Sequence, residues 1–137
     1  MTNEIRFRLR HGEKVTGFVR RMPAGGDFFS RDGFWWTGTP LPYEQIDEWT
    51  GWKDLNQKHI FEYDIVSCKL DPDGPSEKAA VLWDEEKERF SLRFLERDMH
   101  VPMEMDGIRM FDPRQLRVVS YLFINPEIME RLGIRDR

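Results

Sequence analysis

One cysteine, Cys68, is all the thiol this chain carries, and a single cysteine closes no internal disulfide. It lies in a strand-like run with no activating neighbour in sequence, so it reads as a small buried hydrophobe rather than a nucleophile. No stretch of about 18 apolar residues occurs, which excludes a transmembrane helix. The opening residues MTNEIRFRLRHGEK lack the apolar centre of a secretory signal, so the expected compartment is the cytoplasm. Histidine is scarce: His11, His59 and His100 are scattered, without the spacing of a metal site. A Gly-x-Ser-x-Gly elbow, a P-loop, a Gly-x-Gly-x-x-Gly turn and a His-Glu-x-x-His pair are all missing. Gly25-Gly26 in PAGGDFF is a turn signal and nothing more. These gaps leave no reaction identified and no cofactor or metal expected, and they favour a binding protein over an enzyme.

What is present supports a core. The chain has 137 residues, 39% of them hydrophobic and 13% aromatic, enough for one domain over residues 1–137. The net charge of −4 is uneven. Residues 4–21 hold six basic side chains against two acidic ones, while residues 44–90 hold thirteen acidic against six basic. Such asymmetry marks either a nucleic-acid face or a basic strand paired with acidic neighbours in the same sheet.

Strand signals dominate. In EIRFRLR, Ile5, Phe7 and Leu9 alternate with Arg6, Arg8 and Arg10, so the two sets take opposite faces. A turn at HGE and a return along KVTGFVRR complete a hairpin. Asp32-Gly33 in DFFSRDGFWW predicts a type I′ hairpin between two aromatic runs. GTPLPYEQ is a loop, since its two prolines donate no ladder hydrogen bonds. DPDGPSE breaks the chain, and KAAVLWDEEKERFSLRF reads as a hairpin with Phe90, Leu92 and Phe94 on one face. MEMDGIRMFDP offers a further short strand. Only the end reads as helix: Asn125 as N-cap, Pro126 at the first position, Glu127 on the dipole, Ile128 and Leu132 on one face, and Gly133 to stop it.

Three clusters compete for function. Glu62 and Asp64, with Asp54 nearby, could bind a divalent cation or act as acid and base. Two residues apart on a strand they fall on one face, about 7 Å apart, and that face is the solvent side if Phe61, Tyr63 and Ile65 point inward. Structural roles are preferred: Asp64 accepting turn amides, Glu62 paired with Lys53 or Lys58. Phe28, Phe29, Phe34, Trp35 and Trp36 flank one tight turn and form the candidate interface, for a protein partner or for self-association, because exposed aromatic patches commonly mark contacts. Arg6, Arg8 and Arg10 form a basic stripe that makes nucleic acid the rival partner. The sequence pI near 5.4 argues against it.

WTGWKDLNQKHIFEYDIV resembles the recurring segment of the YopX family of phage and prophage proteins: aromatic-Thr-Gly-x-Lys-Asp-x-Asn-Gly-Lys-x-Ile-aromatic-Glu-Gly-Asp-Ile-Val. Trp49, Thr50, Gly51, Lys53, Asp54, Asn56, Lys58, Ile60, Phe61, Glu62, Asp64, Ile65 and Val66 match it. SYLFINPEIM, with Asn125, Pro126 and Glu127, is similar to the family's ending, and IRFR to its start. The chain departs at two glycines, which are Gln57 and Tyr63 here. Tyr63 argues against a role that needs close backbone approach at that point. The resemblance implies a small, mainly β domain of antiparallel strands with an SH3-like barrel core, extra hairpins and a short C-terminal helix. It implies no biochemical activity.

Overall fold

The computed structural model describes residues 4–136. The chain is mainly β, with antiparallel sheets and one short C-terminal helix. One five-stranded sheet has the order β3-β2-β1-β4-β5 and the other β12-β6-β7-β8-β9, where β1 is Ile5–His11, β2 Lys14–Arg21, β3 Asp27–Ser30, β4 Gln45–Lys53, β5 His59–Phe61, β6 Asp64–Cys68, β7 Glu77–Asp84, β8 Arg89–Phe94, β9 His100–Pro102 and β12 Leu116–Tyr121. A separate ribbon pairs β10, Glu104–Met105, with β11, Ile108–Arg109. Both large sheets are open, not closed into a barrel. Two compact units result: one runs to Trp49 and takes in Asp136, the other is Thr50–Arg135.

In the first unit, Gly12 at φ 56° makes the turn between β1 and β2. Gly17 is opposite Leu9, beside a register shift in β1. A Cβ at Gly17 would lie 2.6 Å from both Leu41 Cδ1 and the Ser30 carbonyl oxygen, so only glycine lets β3 and the loop at Leu41 close on β2. The strict alternation of β1 survives folding, yet Leu9 on one face and Arg8 and Arg10 on the other are all buried.

The second unit is packed on the residues that the hairpin pattern of β7 and β8 places inward. Val81 pairs with Leu92 and Ala79 with Phe94; all four are buried with Trp52, Ile60, Val66, Cys68 and Leu116 in one cluster. Trp83 meets Phe90 edge to face at 4.8 Å. Cys68 is fully buried in that cluster. Burial, helped by Glu77, pushes its thiol up to about 11, as suits an inert packing residue. Helix α1, Pro126–Leu132, starts at Asn125 and ends at Gly133 in the left-handed conformation. Asn125 does not cap with its side chain: its amide donates instead to the Tyr121 carbonyl at 2.6 Å and to Ser120 Oγ at 3.1 Å.

Two Asp-Gly pairs exchange roles relative to expectation. Asp106 and Gly107 both take positive φ, 54° and 78°, and close the β10–β11 ribbon in the manner of a type I′ turn. At Asp32-Gly33 only Gly33 has positive φ, and no strand returns through Phe34–Trp36. On the edge of β3 away from β2, the returning chain meets it at Thr37, which exchanges two backbone hydrogen bonds with Phe29.

Gln57 and Tyr63, the residues standing where the resembled pattern has glycine, both lie in the left-handed region, at φ 65° and 70°. An L-residue pays strain there that glycine avoids. Gln57 is exposed and contributes no core packing. Gln57→Gly is therefore expected to raise the unfolding free energy by about 1 kcal/mol, read as a higher urea midpoint at constant slope. An unchanged or lower midpoint contradicts the strain.

Candidate functional site: an aromatic loop above a sheet of buried arginines

The arginines of β1 form no exposed basic stripe. Arg8 and Arg10 are 2% and 1% exposed, and Asp47 of β4, opposite Arg8 in the sheet, is 0% exposed. Asp47 Oδ2 accepts from Arg8 Nε at 2.8 Å and from Arg10 Nε at 2.8 Å, and its Oδ1 accepts from Arg10 Nη2 at 2.9 Å. The far side of the Arg10 guanidinium donates to Asp136, Nη1 to Oδ2 at 2.8 Å and Nη2 to Oδ1 at 2.6 Å. Burial works against the charge on Arg10, but the bonds and charges of Asp136 and Asp47 outweigh it and hold the group above its ordinary range. Alternation correctly puts Arg6, Arg8 and Arg10 on one face. It could not tell that a buried carboxylate waits there.

Arg6 is half-buried and stacked. Its guanidinium carbon lies 5.2 Å from the Trp36 ring centroid and 5.9 Å from that of Trp49. Arg20 covers Trp36 as well, at 5.3 Å. Glu4 accepts from the Nε atoms of both arginines. Trp36 thus lies against two cations and belongs to the fold of the first unit.

Its two predecessors do not. Phe34 is 89% exposed and Trp35 76%. Their backbone is nevertheless fixed: Asp32 Oδ1 accepts from the Phe34 amide at 2.8 Å, the Trp35 amide at 3.1 Å and the Ser30 hydroxyl at 3.1 Å. Ser30 Oγ, itself buried, accepts from the Gly33 amide at 2.8 Å. The Phe34 and Trp35 amides, then Ser30, hold the Asp32 carboxyl below its ordinary range. A depressed value favours the ordered loop above the unfolded-state pKa near 3.8, and that contribution is lost as the pH falls through the lower folded value. Phe28 on β3 is also exposed, and Phe29 half-buried. A shallow cleft of about 300 Å³ lies beside the loop, lined by Phe29, Asp32, Trp35, Thr37 and Leu41 among others.

The carboxylate pair is not on a solvent face. Glu62 and Asp64 are both buried. Tyr63 at φ 70° interrupts the strand, so Phe61 ends β5 and Asp64 opens β6, and regular alternation does not hold across the turn. Asp64 accepts the Phe61 amide at 2.8 Å, which is the turn-holding role expected of it. Asp54, fully buried, does more: it accepts from the amides of Asn56 at 2.8 Å, Lys58 at 2.9 Å and Val118 at 2.9 Å. Thr50 Oγ1 donates to the Ile60 carbonyl at 2.8 Å, Gly51 turns at φ 87°, and Lys53 is exposed. His11 meets Glu44 at 3.0 Å in the first unit, while His59 and His100 belong to the second. Among the described residues, no three His, Cys, Asp or Glu side chains converge as a metal site, and no helix is long and apolar enough to cross a membrane.

Sequence reasoning missed Asp47, Asp136 and the organising roles of Ser30 and Asp32. An aspartate in a strand, QIDEWTG, facing a strand with three alternating arginines is the signal that could have exposed the first. Asp136 has no such signal. Neither a family model, nor a curated protein, nor a solved structure matches the chain.

Proposed function

We propose that residues 1–137 form a single YopX-like domain with an SH3-like β core, encoded by a phage or prophage, and that it works in the bacterial cytoplasm as a non-catalytic protein-binding or assembly module. The contact surface is the loop bearing Phe34 and Trp35, with Phe28 alongside. The carrying observation is the combination of high exposure at Phe34 and Trp35 with a backbone pinned by Asp32. Large aromatics on a backbone ordered before contact lose less freedom on binding, and aromatic residues are common anchors of protein interfaces. The left-handed backbone at Gln57 and Tyr63, where the family pattern has glycine, supports the YopX-type reading.

The rival nucleic-acid reading rested on Arg6, Arg8 and Arg10, and two of these are buried against carboxylates. Trp36 leaves the candidate interface, because its removal would disturb the arginine stack. The test compares tagged wild type with a Phe34→Ser/Trp35→Ser double variant, both loaded with nuclease-treated host lysate. Wild type is expected to retain a partner that the double variant loses, with stability changed by less than about 0.5 kcal/mol. Equal retention by both proteins contradicts the proposal. Loss of all bound material on nuclease treatment alone turns the reading to nucleic acid.

A further inference from the structure

We propose that the cleft between the end of β8 and the end of α1 is an anion site for the phosphate group of a small phosphorylated molecule. The cleft holds about 490 Å³ and lies wholly within the second unit. Three arginines from three elements line it: Arg93 on β8, Arg97 in the β8–β9 connection and Arg131 on α1. Arg97 is fixed in place, donating from Nη2 to Glu77 Oε2 at 2.8 Å with its guanidinium carbon 5.8 Å from the Phe94 ring centroid. Its loop is fastened at both ends, where the Leu95 amide donates to the Lys78 carbonyl and the Phe94 amide to the Met99 carbonyl, each at 3.0 Å.

The other two arginines are not neutralised. Arg93 is half-buried, and among the described residues its side chain makes one bond, from Nη1 to the Leu132 carbonyl at 3.2 Å. Arg131 donates to the Leu95 carbonyl at 3.4 Å, and the Glu96 carboxylate stands 3.9 Å away. By contrast Arg21, Arg97 and Arg114 each meet a carboxylate at 3.2 Å or less, although all three are more exposed than Arg93. A half-buried guanidinium bonded only to a carbonyl is desolvated without a counter-charge, and an anion in the cleft would supply one. Glu96 and Asp98 also line the cleft, but both are exposed, Glu96 with 79% of its side chain in solvent, so water screens them. A planar carboxylate is satisfied by one guanidinium fork. Guanidinia brought together from three elements suit a tetrahedral group with several acceptor oxygens. The volume falls in the range of small-molecule sites, which leaves room for an organic group beside the phosphate.

Titration of the full-length chain with phenyl phosphate tests this, followed by NMR at the arginine Nε–Hε groups and at the Leu95 and Leu132 amides. Inorganic phosphate, chloride and an oligothymidylate are compared at matched ionic strength. The Arg93 resonance and both amides are expected to shift saturably with phenyl phosphate and not with chloride. Arg93→Gln is expected to weaken binding by about tenfold or more, the worth of one charged hydrogen bond. Shifts that chloride reproduces overturn the proposal, and so does wild-type affinity in Arg93→Gln. Saturation by inorganic phosphate without a response to phenyl phosphate overturns the phosphorylated-molecule assignment. Tighter binding of the oligothymidylate at the same resonances overturns it in favour of a nucleic-acid backbone. If Arg93→Gln does not fold, Arg131→Gln, on an exposed side chain, is read by the same criteria. The aromatic loop belongs to the first unit, so this site and partner capture can fail separately.

Discussion

Asp47→Ala is expected to cost about 3–5 kcal/mol of unfolding free energy, the largest loss any single surface-strand reading of the sequence would fail to foresee. The reason is desolvation. Two guanidinia have left water on one sheet face, and Asp47 bonds both at 2.8 Å. Alanine removes that buried carboxylate from both Arg8 and Arg10. A combined Arg8→Met/Arg10→Met/Asp47→Leu chain provides the contrast, since replacing a whole buried ion cluster by apolar residues is often neutral or stabilising. Urea unfolding of the two variants reads both effects. An Asp47→Ala chain within about 1 kcal/mol of wild type, the range of an exposed ion pair, means that the arginines are solvated after all.

Asp54→Ala is expected to be nearly as damaging, at about 3 kcal/mol or more, because three amides lose a charged acceptor in a buried site. Two of them, Asn56 and Lys58, shape the turn between β4 and β5. The third, Val118, lies in β12 beside a register shift between Val118 and Ser120, where the strand ladder is interrupted. Asp54 therefore ties a local turn to a strand far away in the chain. Amide exchange at Val118 should quicken with the loss of global stability, and Asp54→Asn, which places an amide donor against amide donors, should not restore it. Protection of Val118 that is unchanged in Asp54→Ala contradicts this role.

How much of this could be read beforehand depended on the range of the interaction. Period-two alternation in IRFRLR and RFSLRF is a local signal, and both segments are strands with the predicted sets of faces. What lies over a face is not local. Arg8 and Arg10 looked solvated because arginine usually is, and only the register of β4 brings Asp47 opposite Arg8. The turn signal at Asp32-Gly33 failed for a related reason. Asp106-Gly107 and Asp32-Gly33 are the same dipeptide, but the carboxylate of Asp32 is engaged by Ser30 and by two following amides, and this favours a loop over a two-residue turn. Glu62 and Asp64 were misplaced because one left-handed residue, Tyr63, resets the alternation between them. The aromatic run pointed to a contact surface, yet sequence alone could not separate Trp36, held by Arg6 and Arg20, from Phe34 and Trp35.

The central functional claim concerns Trp35, and fluorine NMR of the 5-fluorotryptophan-labelled chain tests it most directly. Trp35→Phe and Trp36→Phe variants assign the two resonances. In the isolated protein the Trp35 signal should broaden strongly with a soluble paramagnetic probe, and the Trp36 signal should broaden less. On addition of the captured partner, Trp35 should become protected while Trp36 keeps its shift. A Trp35 resonance that stays fully accessible in the complex would place the contact elsewhere and contradict the account.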